Sequence, residues 1–193
     1  STILREDLVD GEVEVLITQS EPFPEMAGKF LAEIAKDWQL TQQEAARKLM
    51  PGGACYFQMS EEDVKRVLSH PKTMIGSDGL PHDKHPHPRL WGTFPRVLGH
   101  YCLELSLFSL ENIIARMSSY PATQFSLEKR GLLAPDYFAD VLVFNPETII
   151  DKATFADPLQ ASEGVSQVFV NGVLAYAEQD GAMQQNGRFL RRA

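Results

Sequence analysis

The sequence predicts an α/β fold followed by a small β part, and three observations carry that expectation. Before about residue 125, short β-type runs alternate with loops and amphipathic helical stretches, the order expected of wound α/β units. Beyond residue 127 short β runs take over, with Asn171-Gly172 between two of them as a hairpin turn signal. Hydrophobic residues make up 44% and charged residues 23% of the chain, which suits an ordinary globular core under a solvated surface.

The elements follow in order. Residues 12–20 read as a strand entering a turn punctuated by prolines at Glu21-Pro-Phe-Pro. Over residues 25–37, Met26, Phe30, Leu31, Ile34 and Ala35 recur at helical spacing. Thr41 followed by Glu44 is a capping box that starts a second helix running to about Met50. Ser60 with Asp63 opens a third, with Val64, Val67 and Leu68 along one side. Residues 73–78 form a short β-type run that stops at the polar turn Ser77-Asp78-Gly79, and a loop rich in proline and histidine fills residues 80–91. Helices are expected at 94–105, at 109–119 behind a Ser109 cap, and briefly at 122–125. Strands are expected at 139–144, 165–170 and 173–176. Residues 1–125 hold only two or three strand-plus-helix units, whereas a (β/α)₈ barrel needs about 250 residues. The periodicity therefore leaves open a smaller α/β sandwich or the end of a longer barrel.

Charge and composition exclude several function classes. A formal net charge of −8 opposes attraction to nucleic acid or anionic lipid. No apolar run reaches the roughly 18 residues needed to span a bilayer, and the first residues lack a basic-then-apolar leader. Taking residue 1 as the start, a cytoplasmic protein is expected. Cys55 and Cys102 have no CxxC spacing and read as free thiols. No nucleophile elbow, dinucleotide fingerprint or Walker motif occurs.

Asp78 is the foremost candidate for chemistry. It stands where an apolar run ends, between Gly76 and Gly79, so its carboxylate would project from a strand's C-terminal end, where barrel enzymes gather catalytic groups. An ordinary turn aspartate fits the local residues as well. His82, Asp83, His85 and His87 lie within six residues and invite a zinc reading, but the prolines after His85 and His87 force extended backbone on both. A rigid pocket loop is the alternative. Arg89, beside Leu90-Trp91-Gly92, has the planar fork that clamps a carboxylate through two donors, although a surface ion pair would also explain it. Met59 and Phe57 could line an apolar pocket or simply pack at a helix start.

From Gly76 through Asp78, His82, His85, His87, Arg89 and Trp91 to Gly99, the sequence resembles the strand-8 region of the N-acyl-D-amino-acid deacylases, D-aminoacylases of the amidohydrolase superfamily. Ala139-Asp140-Val141 and Val170-Asn171-Gly172 resemble that superfamily's closing β-sandwich, and the likeness includes Pro24–Gly28 and Ala54–Met59. Pro135-Asp136 departs from the frequent Pro-Gly, at a turn. The resemblance implies residues 1–126 as the C-terminal part of a (β/α)₈ metal-dependent hydrolase barrel and 127–193 as part of a small β-sandwich appendage. It implies zinc-dependent hydrolysis of N-acyl-D-amino acids, with Asp78 as proton-transferring carboxylate and metal-site ligand. Arg89 is implied as the binder of the substrate carboxylate, with Met59 and His82 in the substrate pocket. The family's metal-binding histidines should precede the aspartate, yet only His70 precedes Asp78 here. Most zinc ligands are therefore expected outside this chain, and this chain alone is expected to be inactive. Alternatives are an incomplete fragment needing an N-terminal half, another amide or cyclic-amide hydrolase of the superfamily, and a small metal-binding protein using His82, Asp83, His85 and His87.

Overall fold

The structure is a computed structural model that describes residues 2–5, 9, 13–182 and 184–190. The chain is mixed α/β and divides into two units. The first takes residues 1–64, 78–91 and 153–160, and the second takes 65–77, 92–152 and 161–193. Both units draw on chain segments from either side of residue 126.

In the first unit, β1 (Thr2–Ile3), β2 (Val15–Ser20) and β3 (Gly52–Tyr56) form a sheet ordered β1-β3-β2, antiparallel throughout. The expected strand at 12–20 starts at Val15, and Glu12 lies outside the described residues. Two strands of this sheet went unread in the sequence, as did Gly181–Ala182 later in the chain. β1 is two residues long, and β3 opens on Gly52-Gly53, a composition that signals a turn. Pairing on both sides of β3 overrides that local preference.

The helix expected over 25–37 is shorter. Pro24–Met26 makes one 3₁₀ turn, Gly28 takes φ +86°, and α1 begins only at Leu31 and runs to Trp38. A left-handed residue cannot continue a right-handed helix, so the apolar spacing spans two elements. α2 (Gln42–Leu49) has the expected box: Thr41 Oγ1 accepts the Glu44 N–H at 3.2 Å, and the Thr41 N–H donates to Glu44 Oε2 at 2.8 Å. Leu31, Ile34 and Ala35 of α1 and Ala45, Ala46 and Leu49 of α2 close over Val15, Ile17 and Ala54 of the sheet.

α3 (Glu61–Ser69) carries the expected Ser60 cap but buries no residue. The β-type run at 73–78 is not in a strand. A ladder needs a neighbour, and in the second unit the side chain of Arg116 takes that place. Its Nε donates to the Thr73 carbonyl at 2.7 Å and Nη2 to the Leu68 carbonyl at 2.5 Å. The Arg116 carbonyl in turn accepts the Ile75 N–H at 3.4 Å.

The helix expected at 94–105 starts five residues earlier as α4 (Arg89–Arg96), shortening the 80–91 loop, and then widens into a π-helix at Val97–Glu104. Pro95 lacks the N–H that an α-helical turn would use there. α5 (Leu110–Met117) is capped by Ser109, which accepts the Asn112 N–H, and α6 (Ser119–Gln124) follows. A second antiparallel sheet orders β4 (Val141–Phe144), β5 (Val165–Val170), β6 (Val173–Ala177) and β7 (Gly181–Ala182). Asn171 and Gly172 have φ +50° and +81°, the two positive values a type I′ hairpin requires. Both sheets are antiparallel, so no parallel wound unit is formed among the described residues.

Candidate active site

The site is built within the first unit, from the sheet outward. At Thr18 the β2–β3 register slips between Ile17 and Gln19, and such a bulge frees one residue from the ladder. The Thr18 carbonyl turns to accept the His85 N–H at 3.0 Å. The His85 ring lies against Gly28, where a Cβ would come within 2.9 Å of Nδ1, so only glycine fits beneath it. His85 Nε2 stands 2.7 Å from the Phe155 carbonyl oxygen. A carbonyl only accepts, so Nε2 carries the proton. Lys84 Nζ adds a bond to the Pro24 carbonyl at 3.0 Å. The Pro/His loop is thereby tied to three separate chain segments.

An aromatic row continues from this anchor. Phe155 packs 4.6 Å from Phe57, which lies 6.2 Å from Phe30, and the His87 ring meets Phe155 edge-on at 5.0 Å. These rings form an apolar base for the end of the loop, from which Arg89 projects.

Arg89 holds residue 78 twice. Its Nε donates to the Asp78 carbonyl at 2.9 Å, and Nη2 lies 2.5 Å from the Asp78 carboxylate Oδ2. Asp78 has φ +46°, a left-handed conformation that aspartate tolerates better than most residues. Gly79 follows because Leu90 packs too closely for a side chain, with Leu90 Cδ1 at 2.9 Å from an added Cβ. The two residues singled out in the sequence for chemistry and for carboxylate recognition are thus joined to each other. The Asp78 carboxylate remains 74% exposed beside the guanidinium.

The other expected site residues lie differently. Met59 is 72% exposed. His82 is 63% exposed and stands 3.5 Å from the buried Asp83 carboxylate. His87 was read as a candidate zinc ligand or part of a rigid pocket loop, whereas its Nδ1 accepts the Arg89 N–H at 3.0 Å. Burial, and then the Arg89 cation, lower its pKa to about 4. The one signal available in sequence was its place two residues before Arg89, the spacing of a side-chain cap.

The metal-binding reading of the loop is corrected by this geometry. Among the described residues no three His, Cys, Asp or Glu side chains converge as ligands. His85 is occupied at Phe155 and His87 at Arg89. Both cysteines are unpaired and buried, and burial pushes the Cys55 thiol up, which disfavours a reactive thiolate. No helix among the described residues is long and apolar enough to cross a membrane.

Residues 33–176 match the amidohydrolase family. This chain belongs to the amidohydrolase family. It is 47% identical to the D-aminoacylase of Alcaligenes xylosoxydans xylosoxydans over 192 residues, all of this chain and 40% of the relative. It is also 47% identical to the N-acyl-D-glutamate deacylase of the same organism, over 39% of that protein. A crystal structure of N-acyl-D-glutamate deacylase from Bordetella bronchiseptica, complexed with zinc and a phosphonate inhibitor, superposes with a TM-score of 0.90 at 47% identity. That superposition covers 92% of this chain and 37% of the other. This amidohydrolase chain therefore spans about 40% of the length of the curated relatives it matches.

Proposed function

We propose that this chain is the C-terminal portion of a zinc-dependent N-acyl-D-amino-acid deacylase, which hydrolyses the substrate amide to a D-amino acid and a carboxylate. The observation that carries the reading is the Asp78–Arg89 pair, held on an anchored loop in a chain 47% identical along its length to a D-aminoacylase. Arg89 would receive the substrate α-carboxylate, a group shared by every N-acyl-D-amino acid whatever its side chain. Asp78 would accept a proton as water adds to the acyl carbon. It would then donate that proton to the nitrogen as the C–N bond breaks, leaving the acid and the free amine. Met59 and His82, both exposed, remain proposed contributors to the substrate pocket.

The described residues do not fit a complete zinc centre, because a protein zinc site takes at least three side-chain ligands and none converge here. Asp78 is the single carboxylate proposed to join such a centre, and the remaining ligands would come from the length that this chain does not span. The same missing length is proposed to complete a (β/α)₈ barrel around residues 1–126 and a β-sandwich around residues 127–193. Two observations favour it. Residues 73–78 lack a strand neighbour, and Leu142 and Val143 of edge strand β4 are exposed apolar side chains.

The test is hydrolysis of N-acetyl-D-amino acids by the complete protein carrying Asp78→Asn. Loss of kcat by about 100- to 10,000-fold is expected for removal of a proton-transferring group. An enzyme of undiminished kcat would exclude Asp78 from that role.

A further inference from the structure

His87 is half-buried beside Arg89 but has no part in the proton transfers just described. Its carbonyl accepts the Leu90 N–H at 3.0 Å while its Nδ1 accepts the Arg89 N–H at 3.0 Å. The ring therefore caps the start of α4 in the manner usually left to Ser, Asp or Asn. Pro88 fixes the backbone between the two residues, and Phe155 fixes the ring from its edge. The Nδ1 bond thus fixes the Arg89 main chain at the point from which its Nε and Nη2 reach Asp78.

We infer that His87 is a positioning residue for substrate recognition: through the Nδ1 bond and its seat on Phe155, it fixes the root of Arg89 so that the guanidinium meets a carboxylate ligand beside Asp78. The inference rests on the reading of Arg89 as the carboxylate clamp. It requires the neutral ring with Nδ1 bare and the proton on Nε2. A charged ring would put a second donor against the Arg89 N–H. His87 differs in this from its neighbour His85, whose proton serves the Phe155 carbonyl and whose contacts tie down the loop rather than the arginine.

Two replacements separate positioning from simple packing. Asparagine places Oδ1 at the branch where histidine has Nδ1, so His87→Asn retains the acceptor and loses the ring. His87→Phe retains the ring on Phe155 and loses the acceptor. In the complete zinc-loaded enzyme, His87→Phe is expected to raise KM for an N-acetyl-D-amino acid about three- to tenfold, the worth of one hydrogen bond, with little change in kcat. His87→Asn should return KM to within about twofold of the parent, and Arg89→Lys should raise KM at least as much as His87→Phe.

Equal KM values for His87→Phe and His87→Asn, with Arg89→Lys still impaired, would overturn the inference and leave the clamp standing. An unchanged KM in Arg89→Lys would remove the clamp itself, and this inference with it. Should His87→Phe fail to fold, nitrogen NMR of the isotope-labelled chain near neutral pH still decides. An Nε2–H tautomer of His87 is expected, and an Nδ1–H tautomer would overturn the inference.

Discussion

A neutral histidine next to an arginine makes stability depend on acidity. The ordinary His87 value of 6.5 falls to about 4 in the folded chain, through burial first and the Arg89 cation second, with Asp78 opposing. Between those values the unfolded chain binds more protons than the folded one, so folding is favoured above pH 6.5 and that advantage is lost as pH falls toward 4. With partial solvent contact the loss amounts to on the order of 2 kcal/mol. Urea unfolding of the chain across this window should show that decline, and His87→Asn should flatten it. An equally steep decline in the variant would place its source elsewhere. At this scale the sequence offered Asp78 and Arg89 as candidates, because a turn aspartate between glycines and a fork-shaped cation carry meaning locally, but it did not show that the two are joined. The role of His87 was not legible, because it depends on a rotamer and on Phe155, nearly 70 residues away along the chain.

At the scale of elements, α2 and α3 show how far local pattern reaches. Both begin with a capping side chain and both carry an apolar side. The caps formed as expected because they involve residues only three positions apart. Burial did not follow from the pattern: Leu49 of α2 is fully buried, whereas Val67 of α3 is 55% exposed. Leu49→Ala should therefore cost about 2–5 kcal/mol. Val67→Ala should stay within about 0.5 kcal/mol, as for a typical surface position. Comparing chemical-denaturation midpoints of the two variants tests this, and similar losses would mean that α3 packs more tightly than its exposure indicates. The extended run at 73–78 follows the same logic. Its composition is that of a strand, but strand formation needs a neighbour, and here Arg116 satisfies Thr73 and Leu68 instead.

For the whole molecule, the decisive fact is that this chain covers about 40% of its relatives' length and lacks a convergent ligand set among its described residues. The purified chain should bind zinc with less than stoichiometric occupancy and release no D-amino acid by itself. Under the proposed function, activity should appear when an N-terminal portion of the proposed deacylase is supplied. Metal analysis together with an assay of the chain alone and of the mixture checks this. Stoichiometric zinc with turnover by the chain alone would defeat the proposal.

The sequence by itself determined the mixed α/β class, the caps at Thr41 and Ser109 and the Asn171-Gly172 hairpin. Each of these is set by side chains within a few positions of one another, where backbone conformation and hydrogen-bonding reach are local. Only the tertiary structure decided that the sheets run antiparallel, that Thr18 and Gly28 seat His85, that Phe155 backs His87 and that Arg89 closes on Asp78. Those outcomes depend on which distant segments meet, and periodicity along a chain does not encode its neighbours in space.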